Sequence, residues 1–451
     1  MDTGFLPVLP VEIFGQIIEQ VAADQKAIYK RLATLRSCRS VCHTLDEIVS
    51  PYLYRNIPLN GPHSFAKFLN ELRAFPERGQ LVRTLDFSGF TSVGLGRSRS
   101  CNNRILLLTA VTLNECLHLC PNLQEVFLSE ALESDIDENV LRTLFIDLKH
   151  LKALDFCASD SAEFVQSFQD FLAKQNAWSS QLRHLGLHNC STLPISFFES
   201  LLPHFTSLVR LDLYNTQVSG AGLLSLPQSC PLEVLTLSQC TRITAADLLS
   251  FVTTHASSTS LKALSLLYSW NKTHPLSSVP QALDVFVQCL PRTLQILDLA
   301  GVELDLQHLA YLPSSLVELG VHDIDVSMQH DIEAVASGVA GEEHKPLLPA
   351  LQYLLLTQNV ISSEQKFAGI LATLFPNLSI VESPGFNRLA YVSSLSYSKI
   401  AGPGRRDWIR RHGKEALGVE ANGQQWHPRK CNMSLSDGTP RGIYDYYSYR
   451  V

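Results

Sequence analysis

The sequence predicts an α/β molecule, a small N-terminal helical unit followed by a curved solenoid of parallel strands and helices. Three observations carry that reading. The pattern L-x-x-L-x-L returns along the middle of the chain, helix-starting and helix-stopping residues separate its copies, and roughly the first fifty residues place apolar side chains three or four apart.

The helical unit starts at Leu9. Pro10 suits a first helical turn, where its missing N–H costs nothing, and Glu12 favours the positive end of the helix dipole. Ile13, Phe14, Ile17, Ile18 and Val21 then form one broad apolar stripe. After a polar break, Ile28, Leu32, Leu35, Cys38, Val41, Cys42, Leu45, Ile48 and Val49 fit two further helices, ending at Pro51. Three helices in about 43 residues are marginal by themselves, so the stripe needs a cover. That cover is either the solenoid, which the unit would cap, or another protein.

The repeats are clearest at Leu182 (LRHLGLHNC), Leu208 (LVRLDLYNT), Leu232 (LEVLTLSQC), Leu261, Leu294, Leu316 and Leu351, with weaker copies at Val82, Leu123, Leu151 and Leu378. From Leu123 onward they recur every 22 to 35 residues, enough for one strand and one helix each. Thr244 is placed to cap the helix AADLLSFV, Pro194 and Pro280 sit where helices begin, and Pro203, Pro291, Pro313 and Pro376 stop them before the next strand. Each unit has an apolar face that only its neighbours bury.

Strand periodicity sends the leucines inward and the residues between them to the concave surface. The fifth position of the copies reads Asp86, Phe127, Asp155, Gly186, Asp212, Thr236, Ser265, Asp298, Gly320 and Leu355. Four aspartates share this column, flanked by His184, His188, Arg210, Tyr214, Glu318, His322 and Tyr353. The column reads as a ligand face suited to a basic segment, or as a habit of such repeats.

Composition narrows the function. No apolar run reaches the roughly 18 residues of a membrane helix, and Asp2 with no basic stretch ahead of a hydrophobic one argues against a secretory leader. The expectation is a soluble cytoplasmic or nuclear protein with no membrane partner. Eleven cysteines, odd in number and scattered, read as reduced thiols rather than a disulfide framework. Cys116, His118 and Cys120 have no second cluster nearby, so no metal is expected. Residues 399–451 hold ten Lys/Arg against five Asp/Glu, while the remainder sums to −12, which disfavours nucleic acid as the main partner. Gly94–Arg104 reads as a basic surface loop. Beyond residue 382 the repeat is lost, and the tryptophans and tyrosines of this basic tail suit a cap or fold-back segment better than a disordered linker. No phosphate loop, nucleophile elbow or zinc-protease motif occurs, so neither catalysis nor a cofactor is expected.

Two resemblances follow from these residues. Over about residues 80–382 the repeats resemble the leucine-rich repeat in its cysteine-containing form, carried by Leu208–Leu224 and Leu232–Leu249 with Cys190, Cys240 and Asn359 at the turn after the strand. This implies a structural role for those turn residues. Leu9-Pro10-Val11-Glu12-Ile13 with Ile17, Val41-Cys42 and Pro51-Tyr52-Leu53-Tyr54-Arg55 resemble the F-box, with its L-P-x-E-I start, V-C centre and P-x-L-Y-R end. That resemblance implies binding to the Skp-type adaptor of a cullin-RING (SCF-type) ubiquitin ligase, with Leu9, Pro10, Ile13, Ile17, Leu35, Val41 and Cys42 as contacts. It also implies a target protein held on the concave face for ubiquitination and degradation. The receptor makes no bonds and contributes proximity. The implied organisation is an F-box at 1–60, ten to eleven repeats at 61–382 and the tail at 383–451. The alternative is an interaction scaffold whose F-box-like helices only cap the array.

Overall fold

The computed structural model describes residues 10–23, 28–87, 90, 108–175, 178–268, 272–279, 281–324, 347–357, 374–378, 380–383, 397–400 and 407–411. Leu9, Asn359, the Gly94–Arg104 stretch and the chain beyond Arg411 lie outside them. Contacts divide the chain into two compact units after Leu182.

In the first unit, α1 (Val11–Ala23), α2 (Ile28–Arg39) and α3 (His43–Arg55) pack against one another. Ile18, Leu35, Leu45, Val49 and Leu53 are buried among them. The expected stop at Pro51 is not observed: α3 continues four residues beyond it, to Arg55. Pro51 lies on the exposed side, and Val49, Ser50, Leu53 and Tyr54 on the buried side hold the last turn in place despite the lost donor.

The chain passes from Arg55 directly into β1 (Asn56–Pro58), a strand beyond the three predicted helices but inside the stretch 1–60 assigned to the F-box. There follow α4 (Pro62–Ala74), with Pro62 in its first turn, then β2 (Thr84–Asp86), β3 (Glu125–Phe127) and β4 (Ala153–Asp155). These four strands form a parallel ladder in register, Asn56 beside Thr84, Thr84 beside Glu125 and Glu125 beside Ala153. Side chains satisfy the free N–H groups at two helix starts: between β2 and β3, Thr109 exchanges bonds with Thr112 in a capping box, and after β4, Ser161 accepts from the Phe164 amide. Phe164, Phe168 and Phe171, spaced for one helix face, are fully buried, with Phe164 and Phe168 edge to face at 4.9 Å.

A polar network ties α2, α3 and α4 together. Arg39 donates from Nε to Asp46 (2.6 Å) and from Nη1 to the Tyr54 hydroxyl (2.7 Å). Tyr54 donates in turn to Glu71, which also accepts from Arg78 at 2.6 Å. Burial, reinforced by Glu71, pushes the Tyr54 phenol up to about 12, so it stays a neutral donor.

The second unit continues the pattern: β5 (His184–Gly186), β6 (Arg210–Asp212), β7 (Val234–Thr236), β8 (Ala263–Ser265), β9 (Ile296–Leu304), β10 (Glu318–Ile324), β11 (Tyr353–Leu356) and β12 (Ile380–Ser383) are parallel in sequence order. Every repeat read from the sequence carries its strand two residues after its first apolar position. The central residues, Leu185, Leu211, Leu235, Leu264, Leu297, Leu319 and Leu354, are 2% exposed or less. After β12 the direction reverses. β13 (Tyr397–Ile400) and β14 (Asp407–Arg411) pair antiparallel, and β14 pairs antiparallel with β12.

Turn chemistry links neighbouring repeats. Asn189, Asn215 and Gln239 follow their strands in left-handed conformation, φ 61°, 52° and 62°. Each donates its backbone N–H to the next repeat, at Tyr214 O (2.8 Å), Ser238 O (2.8 Å) and Leu267 O (2.9 Å). Cys240 lies beside this turn, buried, with Sγ 2.9 Å from Leu213 O; burial pushes its thiol up to about 11. A thiol so held is a packing group. Thr244 and Asp247 form the capping box expected for the following helix.

Candidate functional site

Two surfaces stand out, and they depart from ordinary burial in opposite senses. The first belongs to the helical unit. Ile13 and Ile17, one turn apart on α1, are 38% and 45% exposed, and Val41, in the turn between α2 and α3, is 58% exposed. Phe14 and Ile18 face the other way: Ile18 is buried and Phe14 half-buried. The stripe is therefore divided, one part filling the unit's interior and one part remaining outside. Pro10 is exposed and Cys42, at the start of α3, is half-buried.

Leu35 requires a correction. At 1% exposure it belongs to the interior of the three-helix unit and has no surface to offer. Val11, absent from the expected contacts, is 56% exposed at the head of α1. Its signal was available in the sequence, since it occupies the variable position of the L-P-x-E-I start.

The second surface is the strand column, and most of it is not open. Asp155, Asp212 and Asp298 are all at most 3% exposed. Each carboxylate turns back onto its own chain: Asp155 accepts the Cys157 N–H at 3.0 Å, Asp212 the Tyr214 N–H at 3.0 Å and Asp298 the Ala300 N–H at 3.1 Å. The repeated bond, always two residues on, explains why aspartate recurs at this position. It shapes the exit from the strand. Expecting these three to face a ligand was therefore incorrect.

Four flanking residues need the same correction. His188 (3%), Arg210 (4%), Glu318 (1%) and Tyr353 (0%) are buried as well. The His188 ring lies parallel to Tyr214 at 4.3 Å, with Nδ1 3.3 Å from Asp212. Burial alone would push the Asp212 carboxyl up. His188, the Tyr214 N–H and the Arg210 guanidinium outweigh it and hold the carboxyl below its ordinary range. Glu318 and Tyr353 stand side by side in the β10–β11 register. Of the expected set, Asp86, His184, Tyr214 and His322 keep partial exposure, and His322 Nδ1 lies 3.0 Å from the Thr357 hydroxyl.

Cys116 and Cys120 are buried while His118 is exposed beside the Asn114 carbonyl. Among the described residues no group of His, Cys, Asp and Glu is arranged to hold a metal ion, and no helix is long and apolar enough to cross a membrane.

Comparison with known proteins bears on the helical unit. Residues 6–93 match the family described as the COS11 F-box domain. The chain is 28% identical over 296 residues to the F-box protein YLR352W of Saccharomyces cerevisiae, covering 60% of this chain and 36% of that protein. It is 36% identical over 81 residues to the F-box protein COS111 of Candida albicans, covering 18% of this chain and 10% of that one. The chain thus spans only about a third and a tenth of those relatives. Among solved structures, Rad7, crystallised with Elc1 in yeast, aligns over 84% of this chain and 93% of its own at 15% identity and a TM-score of 0.39. The leucine-rich repeat protein LegL7 of Legionella pneumophila aligns over 63% and 92% at 15% identity and a TM-score of 0.38. The exposed isoleucines of α1 and Val41 lie within the matched segment: residues 6–93 carry an F-box of the COS11 kind, and a ladder of short parallel strands begins within it and continues beyond.

Proposed function

We propose that the chain is the substrate-receptor subunit of an SCF-type ubiquitin ligase, without catalytic activity of its own. The single observation that supports this most is that the segment matching the F-box keeps Ile13, Ile17 and Val41 outside its own core. Each such side chain contributes on the order of 1–2 kcal/mol when covered. A Skp-type adaptor would supply the cover, with Pro10 and Cys42 at its edge, and would connect the chain to a cullin. The repeat ladder would hold the target protein, whose ubiquitination leads to degradation; of the contacts expected from the sequence, Asp86, His184, Tyr214 and His322 are still reachable.

Co-expression with a Skp-type adaptor tests this reading. The intact chain should retain the adaptor through purification and recruit a cullin. The triple variant Ile13→Ser, Ile17→Ser, Val41→Ser should lose the adaptor while its melting temperature stays within a few degrees of the parent, because these side chains are already solvated. Adaptor retained by that variant would refute the contact assignment. Adaptor bound without cullin recruitment would favour a scaffold over a ligase.

A further inference from the structure

A second site opens in the same unit, away from the exposed isoleucines. Between α2, β1 and α4 lies a cleft of about 350 Å³, at the small end of the roughly 300–1,000 Å³ typical of ligand sites. Its charged lining is Arg36 and Arg39 from α2, Lys67 from α4, and Glu71. Leu53, Ile57 and Phe68 give it an apolar wall.

The charges do not balance within the cleft. Arg39 and Arg78 are offset by Asp46 and Glu71, with which they form ion pairs. Arg36 and Lys67 have no ion-pair partner among the described residues. The cleft therefore holds two surplus positive charges beside a guanidinium already fixed in place. Arg39 is anchored through Nε and Nη1, so its orientation does not have to be established when a ligand arrives. A concave wall whose net charge is positive concentrates anions.

We propose that this cleft binds a phosphate monoester. Such a group carries about −1.5 to −2 at neutral pH, the complement of the two surplus cations, and its oxygens accept charge-assisted bonds from guanidinium and ammonium donors. The apolar wall would take the organic part of the ester. A monoanionic carboxylate would leave one cation uncompensated. A polynucleotide suits the surroundings poorly, because the chain outside its last 53 residues is acidic.

The test is calorimetric titration of the full chain, in buffer without phosphate, using phenyl phosphate, inorganic phosphate and benzoate as probes. Phenyl phosphate should bind one to one and benzoate about tenfold more weakly or not at all. Phenyl phosphate binding well above inorganic phosphate identifies an organic ester as the ligand; equal binding identifies the free ion. The double variant Arg36→Gln, Lys67→Gln should lose at least about tenfold in affinity with an unchanged melting temperature, and Lys67→Glu alone should also weaken binding. The proposal is overturned if neither phosphate probe binds at millimolar concentration, if benzoate binds as well as they do, or if the double variant binds like the parent. Adaptor retention by the double variant should be normal, so failure here leaves the adaptor assignment standing.

Discussion

The outward side of α1 and the strand column of the ladder form an instructive pair. On the helix, Ile13 and Ile17 sit in water although both are strongly apolar; in the ladder, Asp212 and Asp298 sit out of water although both are carboxylates. The isoleucines belong to a three-helix unit whose interior is already occupied by Ile18, Leu35 and Val49, so they are surplus to its own packing. The aspartates are bonded to backbone two residues away, so their polarity is consumed in shaping the strand exit. An apolar side chain left outside suggests a partner, whereas a polar side chain taken inside and bonded locally indicates scaffolding.

The strongest way to break this contrast is Asp212→Ala. Removing the carboxylate leaves the Tyr214 N–H and the buried His188 without it, and should cost about 4 kcal/mol in urea denaturation. A loss below about 1 kcal/mol would mean that the column is not structural and that its aspartates are available to a ligand.

Next in size is a matched pair within the helical unit. Leu35→Ala should cost about 3 kcal/mol by opening a cavity, while Ile17→Ala should stay within about 0.5 kcal/mol and instead weaken adaptor retention. Equal stability losses would erase the distinction between the two sides of the stripe.

The smallest effect is a pH dependence. Burial pushes the His274 imidazole down from 6.5 to about 4. The neutral ring donates from Nε2 to Leu266 O at 2.9 Å and accepts the Leu276 N–H at Nδ1, and protonation would destroy the second bond. As pH falls the unfolded chain takes up this proton first, so the stability present above the unfolded value is lost toward the folded one, by about 2 kcal/mol near pH 5. Thermal unfolding at several pH values should show this loss in the parent and a flatter profile in His274→Asn.

Much of this architecture was legible because it rests on repetition. Leu211, Leu235 and Leu297 recur in a pattern that only a strand with one buried side satisfies, and Thr244 announces its helix through a bond local to the sequence. The Asp column misled for a related reason. Period two correctly put it on the side opposite the leucines, but whether a carboxylate points outward or curls back to the second amide is decided by the turn that follows, which composition does not reveal. Pro51 misled because a proline stops a helix only when nothing else holds the next turn, and Leu53 and Tyr54 do. The Arg39–Tyr54–Glu71 network was invisible because its members are as far as 32 residues apart.

One junction has a mechanical consequence. Arg55 ends α3 and Asn56 begins β1, and the Arg83 N–H bonds the Arg55 carbonyl, so the boundary is already stitched into the second strand. There is no hinge at that point. Whatever grips the three helices also sets the heading of the first strands, and a passenger carried there would be presented at a constant angle, as by a bracket rather than a tether.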